Sequence, residues 1–480
     1  MKLNILLSIA LMSLLSCTPQ AMKAYFSIQN YAHGIVLDNT ASTREYVIHS
    51  NTDWKISGIE GQSWCTITPQ EGFGDAVIKV STDANSGQGR RASFRVTAKG
   101  VRTSVVEVQQ GQSYGQVSGQ QFPIIAWTGI EAENAFNKFV VMRDAGINTY
   151  LGWYDDTETV LHILDAASQA NVKVITSCPE LSTETEQTVK ALMNHPALYG
   201  YHLDDEPEVT ELEQLGKWVR QIQAIDAYHP CYINVYPNWA WGKEQYKANL
   251  ELFLEQAPVP FLSFDNYPIV SIDGNPSILR PDWYRNLEEV ATAAKKKGIP
   301  FWAFALALSH RLDDSHFYQI PTLAELRLQV FSNLAYGAQA IQYFTFHGLY
   351  RESTTPVYDL VKIVNQEVQQ WADIFLDAHV IGIWHTGTVL PEGTKSLGTL
   401  PSEIKSLTTS NVGAVVSLLE KQDNQYLVVV NKDYRNAMEL NIDADATVRR
   451  ISKEGQPIPV ANTALSVEAG DCVIYTWKKK

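Results

Sequence analysis

The run Leu198-Tyr199-Gly200-Tyr201-His202-Leu203-Asp204-Asp205-Glu206-Pro207 is largely apolar and aromatic for six residues, then abruptly acidic, and a proline stops it. Behind it, Glu211–Ala227 carries apolar residues at helical spacing, and Cys231–Asn238 is a second apolar run. This reads as strand, helix, strand, with a connection long enough to join parallel neighbours. Strands buried on both faces show near-continuous apolar runs, as these two do. The unit repeats in both directions. Upstream, strands are expected over Pro123–Gly129, Ile147–Tyr154 and Val172–Leu181; downstream, over Phe261–Ile269, Pro300–Leu308 and Ala340–His347. Helical patterns at Asn134–Ala145, Asp282–Lys297 and Thr322–Tyr336 lie between them. Eight such units in about 250 residues are what a (β/α)8 TIM barrel requires, here placed at 122–377. The competing topology, a doubly wound open sheet, announces a glycine-rich phosphate turn after its first strand. Trp127-Thr128-Gly129-Ile130 is not that turn.

The flanks of the barrel alternate short β-branched and aromatic runs with turn residues. In 25–112 these include Glu45–His49, Ala76–Val80, Ala92–Val96 and Ser104–Val108, broken by Gly72-Phe73-Gly74 and Asn85-Ser86-Gly87. The spacing predicts an all-β sandwich. A Gly-, Ser- and Gln-rich linker follows at 113–121. From 378 to 480 strands return, with Ala414–Leu419, Gln425–Val430, Ala446–Ile451 and Cys472–Trp477 forming a small second sandwich expected to brace the barrel.

At the start of the chain, Lys2, the apolar run Ile5–Leu15 and Ser16-Cys17 have the layout of a secretory leader too short to span a membrane. Leu14-Leu15-Ser16-Cys17 resembles a bacterial lipobox. That resemblance implies a signal peptide over 1–17, lipid attachment at Cys17, and an exported protein anchored to the outer membrane, at the cell surface or the periplasmic face. Contact with the membrane is expected only through that anchor. Cys65, Cys178, Cys231 and Cys472 are too scattered for a disulfide framework or a zinc cluster. Four isolated buried thiols are expected, with Cys178–Cys231 the one pairing to examine.

Of 480 residues, 45% are apolar and 19% charged, an ordinary globular balance that rules out wholesale disorder. The formal charge of −14 argues against an electrostatic grip on nucleic acid or anionic lipid. No Gly-Lys-Ser/Thr phosphate loop is present, and His310, His316 and His347 lack ligand spacing, so neither cofactor nor metal is expected.

In a barrel the pocket forms where the strands end. Acidic residues gather there: Asp155 and Asp156 after the second strand, Glu180 after the third, Asp204, Asp205 and Glu206 after the fourth, and Asp265 at the sixth. Beside them stand Tyr154, Tyr201, Tyr236, Trp239, Trp241 and Tyr267, with His347 after the eighth strand. Carboxyls among aromatic faces fit a polyhydroxylated ligand, a carbohydrate. Glycoside cleavage asks for one carboxylic acid to protonate the leaving oxygen and for a second carboxylate.

Two stretches resemble known families. Asn51-Thr52-Asp53-Trp54-Lys55-Ile56, Trp64-Cys65 and the closing Val106-Glu107-Val108-Gln109-Gln110-Gly111 resemble the BACON domain, an immunoglobulin-like module attached to glycan-processing proteins of Bacteroidetes. The name implies carbohydrate binding, but Trp54 and Trp64 fit core positions equally well, and a spacer role is the expected one. The second stretch, His195–Pro207, resembles strand four of clan A glycoside hydrolases, where a polar residue precedes a Glu and a Pro follows.

That Glu is the clan's general acid/base, which implies this role for Glu206, its pKa raised by like-charge repulsion from Asp204 and Asp205. Asp205 stands where the clan has Asn. The clan's nucleophilic Glu ends strand seven, but Phe301–His310 contains no acid. Asp265 is the best substitute by position, with Asp313 and Asp314 as alternatives if their loop folds inward. Strands four and six are next-but-one neighbours, which predicts carboxyls in the inverting range of about 6.5–9.5 Å. The expected substrate-binding residues are Asp204, Asp205, Tyr154, Glu180, Tyr201, Tyr236, Trp239, Tyr267 and His347. Two functions remain open: a glycoside hydrolase acting on a complex polysaccharide or oligosaccharide, and a glycan-binding lipoprotein whose barrel has lost hydrolysis.

Overall fold

A computed structural model describes residues 24–28, 35–37, 39–87, 89–111, 120–461 and 463–479. Cys17 and most of the 113–121 linker lie outside the described residues. Eight parallel strands close into a barrel: β1 (Ile124–Trp127), β2 (Thr149–Trp153), β3 (Lys173–Ser177), β4 (Leu198–Asp205), β5 (Cys231–Val235), β6 (Leu262–Phe264), β7 (Phe301–Leu306) and β8 (Ala340–Phe344). Ile125 of β1 is paired with Thr149 of β2 on one side and Gln342 of β8 on the other, so the sheet has no edge. Closure excludes the open sheet, and each strand falls inside its expected run.

Helices alternate with the strands: α1 (Ala135–Asp144), α2 (Thr157–Gln169), α3 (Thr185–Leu192), α4 (Leu212–Gln223), α5 (Tyr246–Gln256), α6 (Trp283–Lys297), α7 (Leu323–Ala335) and α8 (Pro356–Gln370). Helix α4 shows why: it buries Leu212, Leu215, Gly216, Val219 and Ile222, one stripe at helical spacing. A reciprocal cap between Thr322 and Glu325 starts α7. Gly298, at φ 75°, ends α6 in the left-handed region that glycine favours. The barrel interior is packed with Ile125, Trp127, Leu151, Ile175, Tyr232, Trp302 and Phe304 rather than open as a pore. At the C-terminal ends, the loops after β6 and β7 contribute Ile269–Ile272, Ile278–Leu279, His310–Arg311 and His316–Tyr318 to a small antiparallel sheet.

The N-terminal region forms two antiparallel-rich sheets. One holds Phe26–Ile28, Ser42–Ser50, Cys65–Thr68 and Ala76–Thr82; the other includes Asp53–Glu60, Glu71–Phe73, Arg90–Ala98 and Val101–Gln110. Alternating inward residues, among them Ile48, Ile56, Ile67, Ile78, Val80 and Phe94, fill the core. Trp54 is 3% exposed and its Nε1 donates to the Gly74 carbonyl at 3.0 Å, so its ring is part of the packing.

The C-terminal region makes a six-stranded sheet, with Asn424–Asn431 and Cys472–Lys478 at its centre, and a three-stranded one. Val415, Val428, Val430, Cys472 and Ile474 belong to the same apolar cluster as Phe331 of α7 and Val364 and Val368 of α8. A buried ionic group joins the two. The Arg327 guanidinium donates to Glu367 (Nε to Oε2, 3.1 Å), while Lys453 Nζ stands 3.5 Å from Glu367 and donates to Asp471 at 2.5 Å. Lys453 also lies 4.7 Å over the Trp371 ring, whose Nε1 donates to the Ser452 carbonyl at 2.9 Å. The sandwich is therefore built into the outer layer of the barrel. Cys65, Cys178, Cys231 and Cys472 are all buried, and Cys178 and Cys231 are free thiols, so the Cys178–Cys231 pairing does not form. Among the described residues no helix is long and apolar enough to cross a membrane.

Glu367 has no exposed surface. Removing one partner of a buried ion pair strands the others' charge, at a cost of about 3–5 kcal/mol. Glu367→Ala is expected to lower unfolding free energy by that amount in urea titrations followed by tryptophan fluorescence.

Candidate active site

Strand β4 delivers the acids. Its pairing with β5 slips between His202 and Asp204, a bulge that sets Asp204 opposite Ile233 and Asp205 opposite Asn234. The chain then turns through Glu206 at φ 60°, a left-handed conformation rarely taken by residues with a side chain. The Glu206 amide donates to the Asn234 carbonyl at 2.8 Å, and Trp241 Nε1 donates to the Pro207 carbonyl at 3.2 Å; together they hold the turn.

Asn234 joins the acids. Its Nδ2 donates to Asp205 Oδ1 at 3.1 Å and to Asp265 Oδ1 at 3.0 Å. Its Oδ1 accepts from Ser263 Oγ at 2.9 Å. Ser263 Oγ in turn accepts from Gln342 Nε2 at 2.9 Å and lies 2.7 Å from the Tyr232 hydroxyl, which donates to Gln342 Oε1 at 2.7 Å. A chain of buried hydrogen bonds thus runs from β4 through β5 and β6 to β8.

Glu206 donates a side-chain hydrogen bond to Asp265, so the two carboxyls touch. The expected inverting gap is therefore corrected. The bulge and the left-handed turn swing Glu206 over β5 toward β6, which the simple strand count does not capture. Burial is the main reason that Glu206 holds its proton well above the ordinary carboxyl range; the charges of Asp265 and then Asp205 add to it. Burial and Asp205 also raise Asp265, against the opposing hydrogen bonds from Asn234 and Glu206. Asp205 keeps part of its surface in solvent, yet lost hydration pushes it up to about 6, with Asn234 opposing. Asp204 plays no part in raising Glu206. Its Oδ1 accepts from the Asp205 amide at 2.9 Å, and burial, with the charge of Glu211, raises its own proton affinity.

Two tyrosines stand near the acids. Tyr267 is buried, with the Phe344, Tyr318, His310 and Phe304 rings at 5.7, 5.7, 6.0 and 6.4 Å, and Asp265, Asp205 and Glu206 all act on its phenol. Tyr236 feels Glu206 and donates to Glu208 at 3.4 Å. Two others point away. Tyr201 faces the helix layer, its hydroxyl donating to Asp226 at 2.7 Å, and Tyr154 donates to the Ile130 carbonyl at 2.9 Å. Successive residues in a strand face opposite sides, so the inward neighbours are His202 and Trp153. Trp153 is 52% exposed, stacked on His202 (5.5 Å, 23°) and edge-on to Trp127. His202, pushed down to about 4 by burial, is neutral at pH 7, and its Nε2 has no hydrogen-bond partner.

The remaining expected residues have partners of their own. Glu180 sits in the short helix Pro179–Thr183 with its carboxyl against the Cys178 thiol. Trp239 lies under the Arg280 guanidinium at 4.9 Å, and His347 is 3.8 Å from Glu131. Asn234, His202 and Trp153 were not among the expected site residues. Among the described residues no three His, Cys, Asp or Glu side chains are grouped to hold a metal ion.

Residues 52–111 match the BACON family, described as "Putative binding domain, N-terminal". No curated protein matches the chain. Among solved structures, the chain is similar to a family 39 glycoside hydrolase from the gut symbiont Bacteroides cellulosilyticus WH2, at 11% identity and a TM-score of 0.46, covering 93% of this chain and 99% of that one. It is also similar to the GH51 α-L-arabinofuranosidase of Thermotoga petrophila RKU-1, at 10% identity and a TM-score of 0.42, covering 76% of this chain and 98% of that one. A Bacteroides ovatus GH5 xyloglucanase is 11% identical with a TM-score of 0.32, covering 71% of this chain and 99% of that one. Likeness at these levels carries no weight about activity.

A carboxyl whose folded pKa exceeds its unfolded one lends stability below the unfolded pKa and loses it as pH rises through the folded one. Glu206 is such a group. Gln mimics its protonated form and can still donate to Asp265. Glu206→Gln is therefore expected to melt about 2–4 °C above the parent at pH 8 and level with it at pH 4, by differential scanning calorimetry.

Proposed function

We propose that the barrel hydrolyses glycosidic bonds of a complex polysaccharide or oligosaccharide. The observation that carries this reading is the touching pair Glu206 and Asp265 at the mouth of the barrel, both with raised proton affinity. An acid that keeps its proton near neutral pH, beside a carboxylate that can hold charge, is what protonation of a glycosidic oxygen requires. Glu206 is the proton donor and Asp265 the second carboxylate. Asp205 and Glu206 act on the phenols of both Tyr267 and Tyr236, and Trp153 offers a flat, half-exposed ring on which a sugar can stack.

One observation favours a second reading, a glycan-binding protein without hydrolysis: strand β7 and its loop through His310 supply no acid. The protein as a whole is read as an exported lipoprotein of the Bacteroidetes type, anchored through Cys17, with the N-terminal sandwich acting as a spacer.

Incubation of the purified protein with a panel of glycans, followed by a reducing-sugar assay, separates the two readings; release supports hydrolysis, and binding without release supports the second. On any cleaved glycan, Glu206→Gln is expected to lower turnover by about two to four decades with the fold intact. For the anchor, each buried acyl methylene adds about 0.8 kcal/mol of membrane affinity. Cys17→Ala is expected to move the protein from the membrane to the soluble fraction on ultracentrifugation; a variant still sedimenting with membranes overturns the lipid assignment.

A further inference from the structure

Resting on the glycosidase reading, we propose that the sugar cleaved here carries a 2-acetamido group, whose carbonyl oxygen attacks the anomeric carbon in place of a protein carboxylate. Three observations lead there. First, a protein nucleophile must stand across the sugar from the acid, with the carboxyls about 5–5.5 Å apart, and an inverting base about 6.5–9.5 Å away. Asp265 meets neither condition, because it is hydrogen-bonded to Glu206 itself and tied by Asn234 at 3.0 Å. Asp205 is tied to the same amide at 3.1 Å. Second, the end of β7 and the residues after it, Ala305-Leu306-Ala307-Leu308-Ser309-His310, carry no carboxylate. Third, the groups that are present fit an acetamide. An ionised carboxylate next to the acid can accept the amide N–H, since C2 adjoins C1 in the sugar. The half-exposed Trp153 ring, stacked on His202, gives the sugar a flat face to rest on.

The steps balance. Glu206 gives its proton to the glycosidic oxygen, and the C1–O bond breaks with its electron pair leaving as the alcohol. The acetamido oxygen forms a bond to C1, closing an oxazoline ring as the N–H proton passes to Asp265. Glu206, now a carboxylate, takes a proton from water, and that water attacks C1. The ring C–O bond opens, and the nitrogen recovers its proton from Asp265. One water is consumed and the configuration at C1 is retained through two displacements. The attack comes from the face opposite the leaving group, so the bond cleaved is trans to the acetamido group, a β-linkage for glucosamine or galactosamine configurations.

The test uses the full chain and two matched sets: β-linked N-acetylhexosamine oligosaccharides and 4-methylumbelliferyl glycosides, against the same compounds bearing a 2-hydroxyl. Cleavage of the 2-acetamido set, with the 2-hydroxy set slower by about two decades or more, is expected, as for other loss of an intramolecular nucleophile. On N-fluoroacetyl aryl glycosides the rate should fall with each added fluorine, because the carbonyl oxygen becomes a poorer nucleophile. A thiazoline analogue of the oxazoline should compete with substrate. Equal or faster cleavage of the 2-hydroxy set, or rates indifferent to fluorine, overturns this proposal and leaves the glycosidase reading standing. No cleavage of either set or of the wider glycan panel overturns both.

Discussion

One side-chain amide decides where the acids of this barrel stand. Asn234 reaches Asp205 and Asp265 with the two hydrogens of a single nitrogen, and its oxygen is held from below by Ser263. The amide carries no charge, so it orients the carboxylates without neutralising them. Their mutual repulsion persists, and protons must be retained to relieve it. An arginine or lysine in that place would pull both pKa values down and remove the acid that the proposed chemistry needs. The rest of the chain, Ser263 to Tyr232 to Gln342, keeps the amide in its orientation, and a buried network of this sort holds only if every member finds a partner.

The turn at Glu206 adds a second constraint. A left-handed non-glycine residue costs about 1–3 kcal/mol and persists only where its surroundings over-determine it. Here the bulge in β4, the Asn234 carbonyl and the Trp241 contact to Pro207 do so. Strain, buried charge and an unpartnered His202 nitrogen fall within a few residues of one another, while the barrel interior is packed with apolar and aromatic side chains. Stability is given up locally at the mouth and recovered elsewhere, in part through the joint core with the C-terminal sandwich.

Much of this was legible in the sequence, for a definite reason. Parallel strands buried on both faces are the most conspicuous runs a chain can carry, and all eight lie within the segments read as strands. The acids at the strand ends were legible because charge there interrupts an apolar run: Asp205, Glu206 and Asp265 do meet. The aromatic partners were harder. Every strand offers alternate residues to alternate faces, and a doublet such as Trp153-Tyr154 or Tyr201-His202 gives no sign of which member turns inward; a shift of one residue exchanges them. The bulge at 202–204 broke the alternation where it mattered most. Asn234 escaped notice because an asparagine inside an apolar run looks like an interruption, and its two acceptors lie about 30 residues away on either side.

The strand Cys472–Lys478 lies between Asn424–Asn431 and Arg449–Ile451 in the six-stranded sheet, and that sheet shares a core with α7 and α8. β8 in turn must meet β1 across more than two hundred residues to seal the cylinder. Sequence-adjacent strands such as β1 and β2 pair locally, but the β8–β1 seam and the core shared with α7 and α8 need distant stretches of chain. Loop-closure entropy must be met before such distant contacts return anything, so a polypeptide of this topology assembles slowly and late. Sealing of the cylinder is therefore among the last events of its folding.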